Sequence, residues 1–136
     1  MTPGARISGV LVTHGALGAE LLKTAESILG PQDDIAVLSN AGKPLDLLQA
    51  ELEGLMQGMH PRVLFVDLLG GSCGHVCALM QRRFPRLLLA TGVNLPMLLE
   101  FLHHRERVPP ADLKQRLLER GRDGIRCLGW ESGEEA

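Results

Sequence analysis

The chain has 136 residues, the size of one domain, with 45% apolar and 22% charged residues, so it can bury a core of its own. A net charge of −2 gives no general attraction for nucleic acid, and three Phe, one Trp and no Tyr provide no platform on which bases could stack. Three cysteines, at 73, 77 and 127, are odd in number and lack framework spacing, which excludes a secreted disulfide scaffold.

Ile7 to Thr13 is β-branched and bounded by glycines, which predicts a buried strand. Residues 17, 21, 22, 25, 28 and 29 are apolar at helical spacing, and Gly30-Pro31 ends that helix, begun at Ala16. Ile35 to Leu38 is a second strand. Pro44 opens a helix whose stripe is Leu45, Leu48, Leu52, Leu55 and Met56. Val63 to Val66 is a third strand, ended by Asp67. Gly70-Gly71-Ser72 turns into a helix over about 73–84. Leu87 to Thr91 is a fourth strand, followed by Gly92-Val93-Asn94. Pro96 opens a helix that runs to about His104, and another covers Asp112 to Gly121. Gly124 to Leu128 is a candidate last strand, and the acidic tail 131–136 is expected to fray. No repeat or linker divides the chain, so one domain over 1–136 is expected, with its core at about 7–128.

Alternating apolar strands and helices imply an α/β fold: an open, mostly parallel sheet with helices on both faces. Such sheets work at their strand C-termini. His14, Asp67, Ser72 and several glycines, including Gly92 before Asn94, therefore meet on one edge. Asp67 is placed to accept the Nδ1 proton of His14, which leaves Nε2 free as a nucleophile. Gly70 and Gly71 present backbone N–H groups at a helix N-terminus, and Ser72 adds a hydroxyl; together they suit an anion. The pattern reads as a histidine that accepts a phosphoryl group beside an anion cradle. Each part also has an ordinary reading, as a polar loop residue, a turn cap or a plain strand–helix connection, and the pattern alone leaves both open.

Three blocks carry a resemblance. They are Gly9-Val-Leu-Val-Thr-His14-Gly continuing through Leu21 to Gly30, Val66-Asp67-Leu-Leu-Gly70-Gly71-Ser72, and Thr91-Gly92-Val93-Asn94-Leu95-Pro96-Met97-Leu98. Together they resemble the IIA domain of the mannose family of the bacterial phosphotransferase system, over about residues 7–128. The resemblance implies a flavodoxin-like topology and a phosphotransferase that forms a phosphohistidine at His14. Asp67 would support that histidine, and Gly70, Gly71 and Ser72 would bind phosphate. It implies the phosphocarrier HPr as donor and a IIB component as acceptor, the latter expected as a separate polypeptide. Contact with the membrane would be only indirect, through IIC and IID components. It also implies a homodimer that exchanges a C-terminal strand, antiparallel at the sheet edge, here at about 124–128. Two alternatives use the same histidine chemistry: a regulatory phosphoprotein without sugar transport, and a domain like the phosphotransfer subunit of dihydroxyacetone kinases. A small-molecule or metal-binding module that has lost the phosphoryl role is a third possibility.

The family usually has Pro after the serine and Asn two residues later; here Cys73 and His75 stand there. Losing Pro, with Gly74 next, is expected to loosen the first helical turn. Cys73 is expected to be a semi-exposed helix-start residue with a lowered pKa, open to oxidation that would block phosphoryl transfer. Cys77 is expected in the core. Cys73, His75 and Cys77 do not converge as a zinc set, because His75 points away from the face the cysteines share, so no metal or cofactor is expected. His103-His104-Arg105 and Arg82, Arg83 and Arg86 read as solvated surface, and Trp130 as idle or packed across a dimer. The N-terminus lacks an apolar leader and no apolar run approaches about 18 residues, so a cytoplasmic protein is expected.

Overall fold

A computed structural model describes residues 6–130. The tail 131–136 lies outside the described residues. The elements are β1 (Gly9–Thr13), α1 (Leu17–Leu29), β2 (Ile35–Ser39), α2 (Leu45–Met59), β3 (Val63–Val66), α3 (Gly71–Arg83), β4 (Leu88–Thr91), α4 (Leu95–His104) and α5 (Pro110–Asp123). The four described strands form one sheet in the order β2-β1-β3-β4, and every pairing is parallel. Parallel neighbours need crossovers, and the helices supply them.

Side-chain alternation along each strand splits the core in two. Val10, Val12, Leu64 and Val66 meet Leu48 and Leu52 of α2 and Val76, Cys77 and Met80 of α3 on one face. Leu11, Val63 and Phe65 meet Ala25 of α1, Leu98 and Phe101 of α4, and Leu113 and Leu117 of α5 on the other. Phe65 and Phe101 stack edge to face at 4.9 Å. A Cβ at Gly9 would stand 3.3 Å from both rings, so the glycine lets them close over β1. This two-faced packing holds the strand ends rigid enough to carry a site.

Within the single chain the segment 124–128, expected as a strand exchanged between two copies, forms no strand, and two other expectations are corrected. Ile125 and Leu128 of this segment are 74% and 95% exposed, and the segment pairs with no strand among the described residues. Arg105, read as solvated, is buried and donates to the carbonyls of Ile7 and Asp34 at 3.2 and 3.1 Å. It ties the end of α4 to the entrances of β1 and β2. The first turn of α3 is packed rather than loose. The helix begins at Gly71, two residues earlier than its pattern suggested, and Cys73 and Gly74 are buried in that turn. A Cβ on Gly74 would overlap the Leu69 carbonyl, so glycine is the residue that lets the helix press against the preceding loop.

Candidate functional site

The exits of β1, β2 and β3 lie side by side. His14 follows β1, and its backbone N–H donates to Asp67 Oδ2 at 3.0 Å. Its Nδ1 lies 3.1 and 3.0 Å from the two Asp67 carboxylate oxygens. Leu68 N–H donates to Asp67 Oδ1 at 2.9 Å, so the carboxylate is fixed from two sides. An ionised carboxylate only accepts, so the hydrogen between them sits on Nδ1 and the neutral ring keeps its free lone pair on Nε2. That nitrogen faces α3, since a Cβ on Gly71 would stand 3.5 Å from it. Gly71 has φ +88°, a conformation side chains rarely adopt, and it leaves this approach open. Gly70 is the N-cap of α3, and no side chain caps that helix, which leaves its first N–H groups for an anion. The Asp67 side chain is 12% exposed and that of His14 is 42%. The imidazole is thus open while the carboxylate beside it is sheltered.

Sequence reading missed the β2 exit. Asn40 Oδ1 accepts Gly15 N–H at 3.1 Å, and Asn40 Nδ2 donates to Ser72 Oγ at 3.4 Å. Ser39 Oγ donates to the Gly15 carbonyl at 2.8 Å. The serine that ends β2 and the asparagine after it therefore stitch the His14 loop to the start of α3. The available signal was position, since Asn40 directly follows a strand of the same parallel sheet. Gly92-Val93-Asn94 does not join the cluster through Asn94. That residue caps α4, accepting Met97 N–H at 3.0 Å, and donates to the Gly121 carbonyl at 3.1 Å.

A family model described as the fructose IIA component of the phosphotransferase system (EIIA-man) matches residues 8–116. The chain is 34% identical over 137 residues to the mannose-specific EIIAB component of Escherichia coli K12, covering 96% of this chain and 42% of that protein. It is 30% identical to the fructose-specific EIIA component of Bacillus subtilis, over 82% of this chain and 79% of the relative. The EIIA structure from Streptococcus agalactiae superposes with a TM-score of 0.80 at 23% identity, covering 89% of this chain and 96% of that one. The mannose/sorbose IIA subunit from Enterococcus faecalis gives 0.75 at 22% identity, with 93% and 98% covered.

The chain belongs to the mannose-family EIIA components of the phosphotransferase system.

It spans less than half the length of the mannose-specific EIIAB relative. In this EIIA chain Cys73 departs from expectation. It is fully buried, and burial together with the Asp67 charge pushes its thiol up, with the Ser72 hydroxyl acting the other way. The early start of α3 turns residue 73 inward, so the lowered pKa and ready oxidation expected of a semi-exposed thiol do not apply. Cys77 is buried as expected, its thiol pushed up to about 12 chiefly by burial. His75 is exposed, away from both cysteines. Another grouping forms instead: ligating atoms of His14, Asp67 and Cys73 lie within 4.8 Å of one another.

Proposed function

We propose that this EIIA chain is a phosphoryl carrier of the phosphoenolpyruvate-dependent phosphotransferase system. It accepts the phosphoryl group of phospho-HPr on His14 and passes it to a IIB component in the service of sugar uptake. The observation that carries this reading is the Nδ1–Asp67 contact at 3.0 Å, which in the neutral ring leaves the Nε2 lone pair free toward the start of α3. Nε2 attacks phosphorus, an N–P bond forms, and the bond to the donor breaks with its electron pair returning to the donor. The ring becomes positively charged, and Asp67 stabilises it through Nδ1–H. The first N–H groups of α3 and the Ser72 hydroxyl receive the phosphoryl oxygens, the Gly70-Gly71 turn giving them access. Such transfer depends on positioning and charge more than on covalent chemistry by the protein.

Leu68 and Leu69 are 59% and 56% exposed between Asp67 and α3, and they offer an apolar rim to a carrier protein docking over His14. The similarity to mannose- and fructose-specific relatives supports the sugar branch over a dihydroxyacetone-kinase subunit. The exposed Ile125, Leu128 and Trp130 and the free edge of β4 support a homodimer in which residues 124–128 pair with the partner's sheet. No helix among the described residues is long and apolar enough to cross a membrane, in keeping with a cytoplasmic carrier that meets the membrane through other components.

The test is labelling with enzyme I, HPr and labelled phosphoenolpyruvate. The chain takes up label, and His14→Ala abolishes it. Label that survives His14→Ala overturns the reading.

A further inference from the structure

A third donor lies against the His14–Asp67 pair. A ring nitrogen of His14, a carboxylate oxygen of Asp67 and the sulfur of Cys73 all lie within 4.8 Å of one another. They come from the loop after β1, the end of β3 and the first turn of α3. Zinc holds N, O and S ligands at about 2.0–2.3 Å, which puts tetrahedral ligands roughly 3.3–3.8 Å apart. The three donors therefore close on one ion by shifts of about 1 Å or less. Cys73 is fully buried and the His14 side chain is 42% exposed, so an ion enters from the histidine side and keeps its fourth position toward solvent. Imidazole and thiolate favour zinc and its soft neighbours over magnesium or calcium.

We propose that His14, Asp67 and Cys73 form a three-ligand site for a borderline-soft divalent cation of the Zn²⁺ class, and that the bound ion switches off phosphoryl acceptance at His14. The second half rests on the phosphoryl-carrier reading; the first does not. On binding, the Cys73 S–H bond breaks, its proton goes to solvent, and the sulfur pair is donated to the ion. No electron changes hands. An ion on Nε2 takes the attacking lone pair directly. An ion on Nδ1 displaces the ring proton to Nε2, with the same result. In either case the Asp67 carboxylate turns from the ring to the metal.

Co²⁺ serves as the spectroscopic probe for the full chain, with Zn²⁺ as competitor. The wild type binds one equivalent, with a near-ultraviolet thiolate-to-cobalt band and visible bands of four-coordinate cobalt, both removed by Zn²⁺. Cys73→Ser loses the thiolate band, while Cys77→Ser and Cys127→Ser keep it. His14→Gln, at a half-exposed position that does not threaten folding, weakens Co²⁺ binding at least about tenfold. A wild type without the thiolate band, a band that persists in Cys73→Ser, or unchanged affinity in His14→Gln overturns the site. In a second arm, preformed phospho-HPr is the donor. One equivalent of Zn²⁺ slows labelling of the wild type at least about tenfold and leaves Cys73→Ser at its own metal-free rate. Equal slowing of both overturns the switch. A chain that takes no label without metal refutes the carrier reading instead, and the cobalt spectra still decide the site.

Discussion

The His14 end of the sheet and the C-terminal segment 124–130 are built in opposite ways. At the first, the groups that matter are held within one chain. Asp67 accepts from the His14 backbone, the His14 ring and Leu68, and Asn40 bridges Gly15 to Ser72. At the second, Ile125, Leu128 and Trp130 stand 74%, 95% and 77% exposed. The polar groups at the sheet edge are satisfied locally, while the apolar groups of the segment are left open to solvent. On the proposed reading, the difference makes phosphoryl chemistry and assembly separable. One copy holds every group of the proposed site, and the exposed segment 124–130 is the part proposed to meet a second copy.

Removing residues 125–136 is the most forceful way to break that comparison. It leaves α5 intact and takes away the three exposed apolar side chains. The expected outcome is a complete change from dimer to monomer by light scattering. The rate of labelling by phospho-HPr should change less than about twofold, since the positioning groups all remain. A truncated monomer that no longer takes label would show that the tail belongs to the site.

Asp67→Asn probes the other half of the comparison. The amide can still meet the Nδ1 edge, but it carries no charge and its NH₂ can force the wrong tautomer, with the proton on Nε2. Labelling should slow by about 10²–10⁴-fold, with the dimer unchanged. A loss of less than about threefold would mean that the 3.0 Å contact does not set the nucleophile. Next in size is Gly74→Ala, because its Cβ would overlap the Leu69 carbonyl. Overpacking of this kind costs about 1–3 kcal/mol, read by denaturant unfolding, and it should disturb the start of α3 without touching the tail. An unchanged midpoint would show that the loop before α3 yields freely.

The sequence was legible where the periodicity of one chain determines the structure. Val63 to Val66 is wholly apolar and forms a strand buried on both faces. Leu48, Leu52 and Met56 recur at helical spacing, and α2 buries those residues. His14 and Asp67 were legible because a parallel sheet gathers polar residues at its strand exits. What stayed hidden depends on partners far apart in sequence. Arg105 looks like surface until the entrances of β1 and β2 supply its carbonyls. Cys73 looks half-exposed until α3 is seen to begin at Gly71, which turns the side chain inward. Gly124 to Leu128 has the composition of a strand, but strand formation needs a neighbour, and among the described residues the segment pairs with none. Asn40 carries no motif, because its role comes from two loops that meet only in the fold.

Asn40→Ala gives the smallest and most local effect. Its side chain makes two hydrogen bonds, to Gly15 N–H at 3.1 Å and to Ser72 Oγ at 3.4 Å. The second is long, so most of the effect comes from the first. Losing one neutral hydrogen bond at a part-exposed position costs about 0.5–1.5 kcal/mol. If that cost falls on the geometry of the His14 loop, labelling slows by roughly 2- to 10-fold. If it falls on folding alone, the unfolding midpoint drops and the labelling rate of the folded protein is unchanged. Combining Asn40→Ala with Ser72→Ala separates the two. Asn40 and Ser72 touch each other, and residues in contact are not additive, so the double variant should label about as slowly as the slower single variant. Strict additivity would mean that Asn40 holds the Gly15 loop and leaves Ser72 to meet the phosphoryl oxygens unaided. The locked end of the sheet would then be two independent locks rather than one.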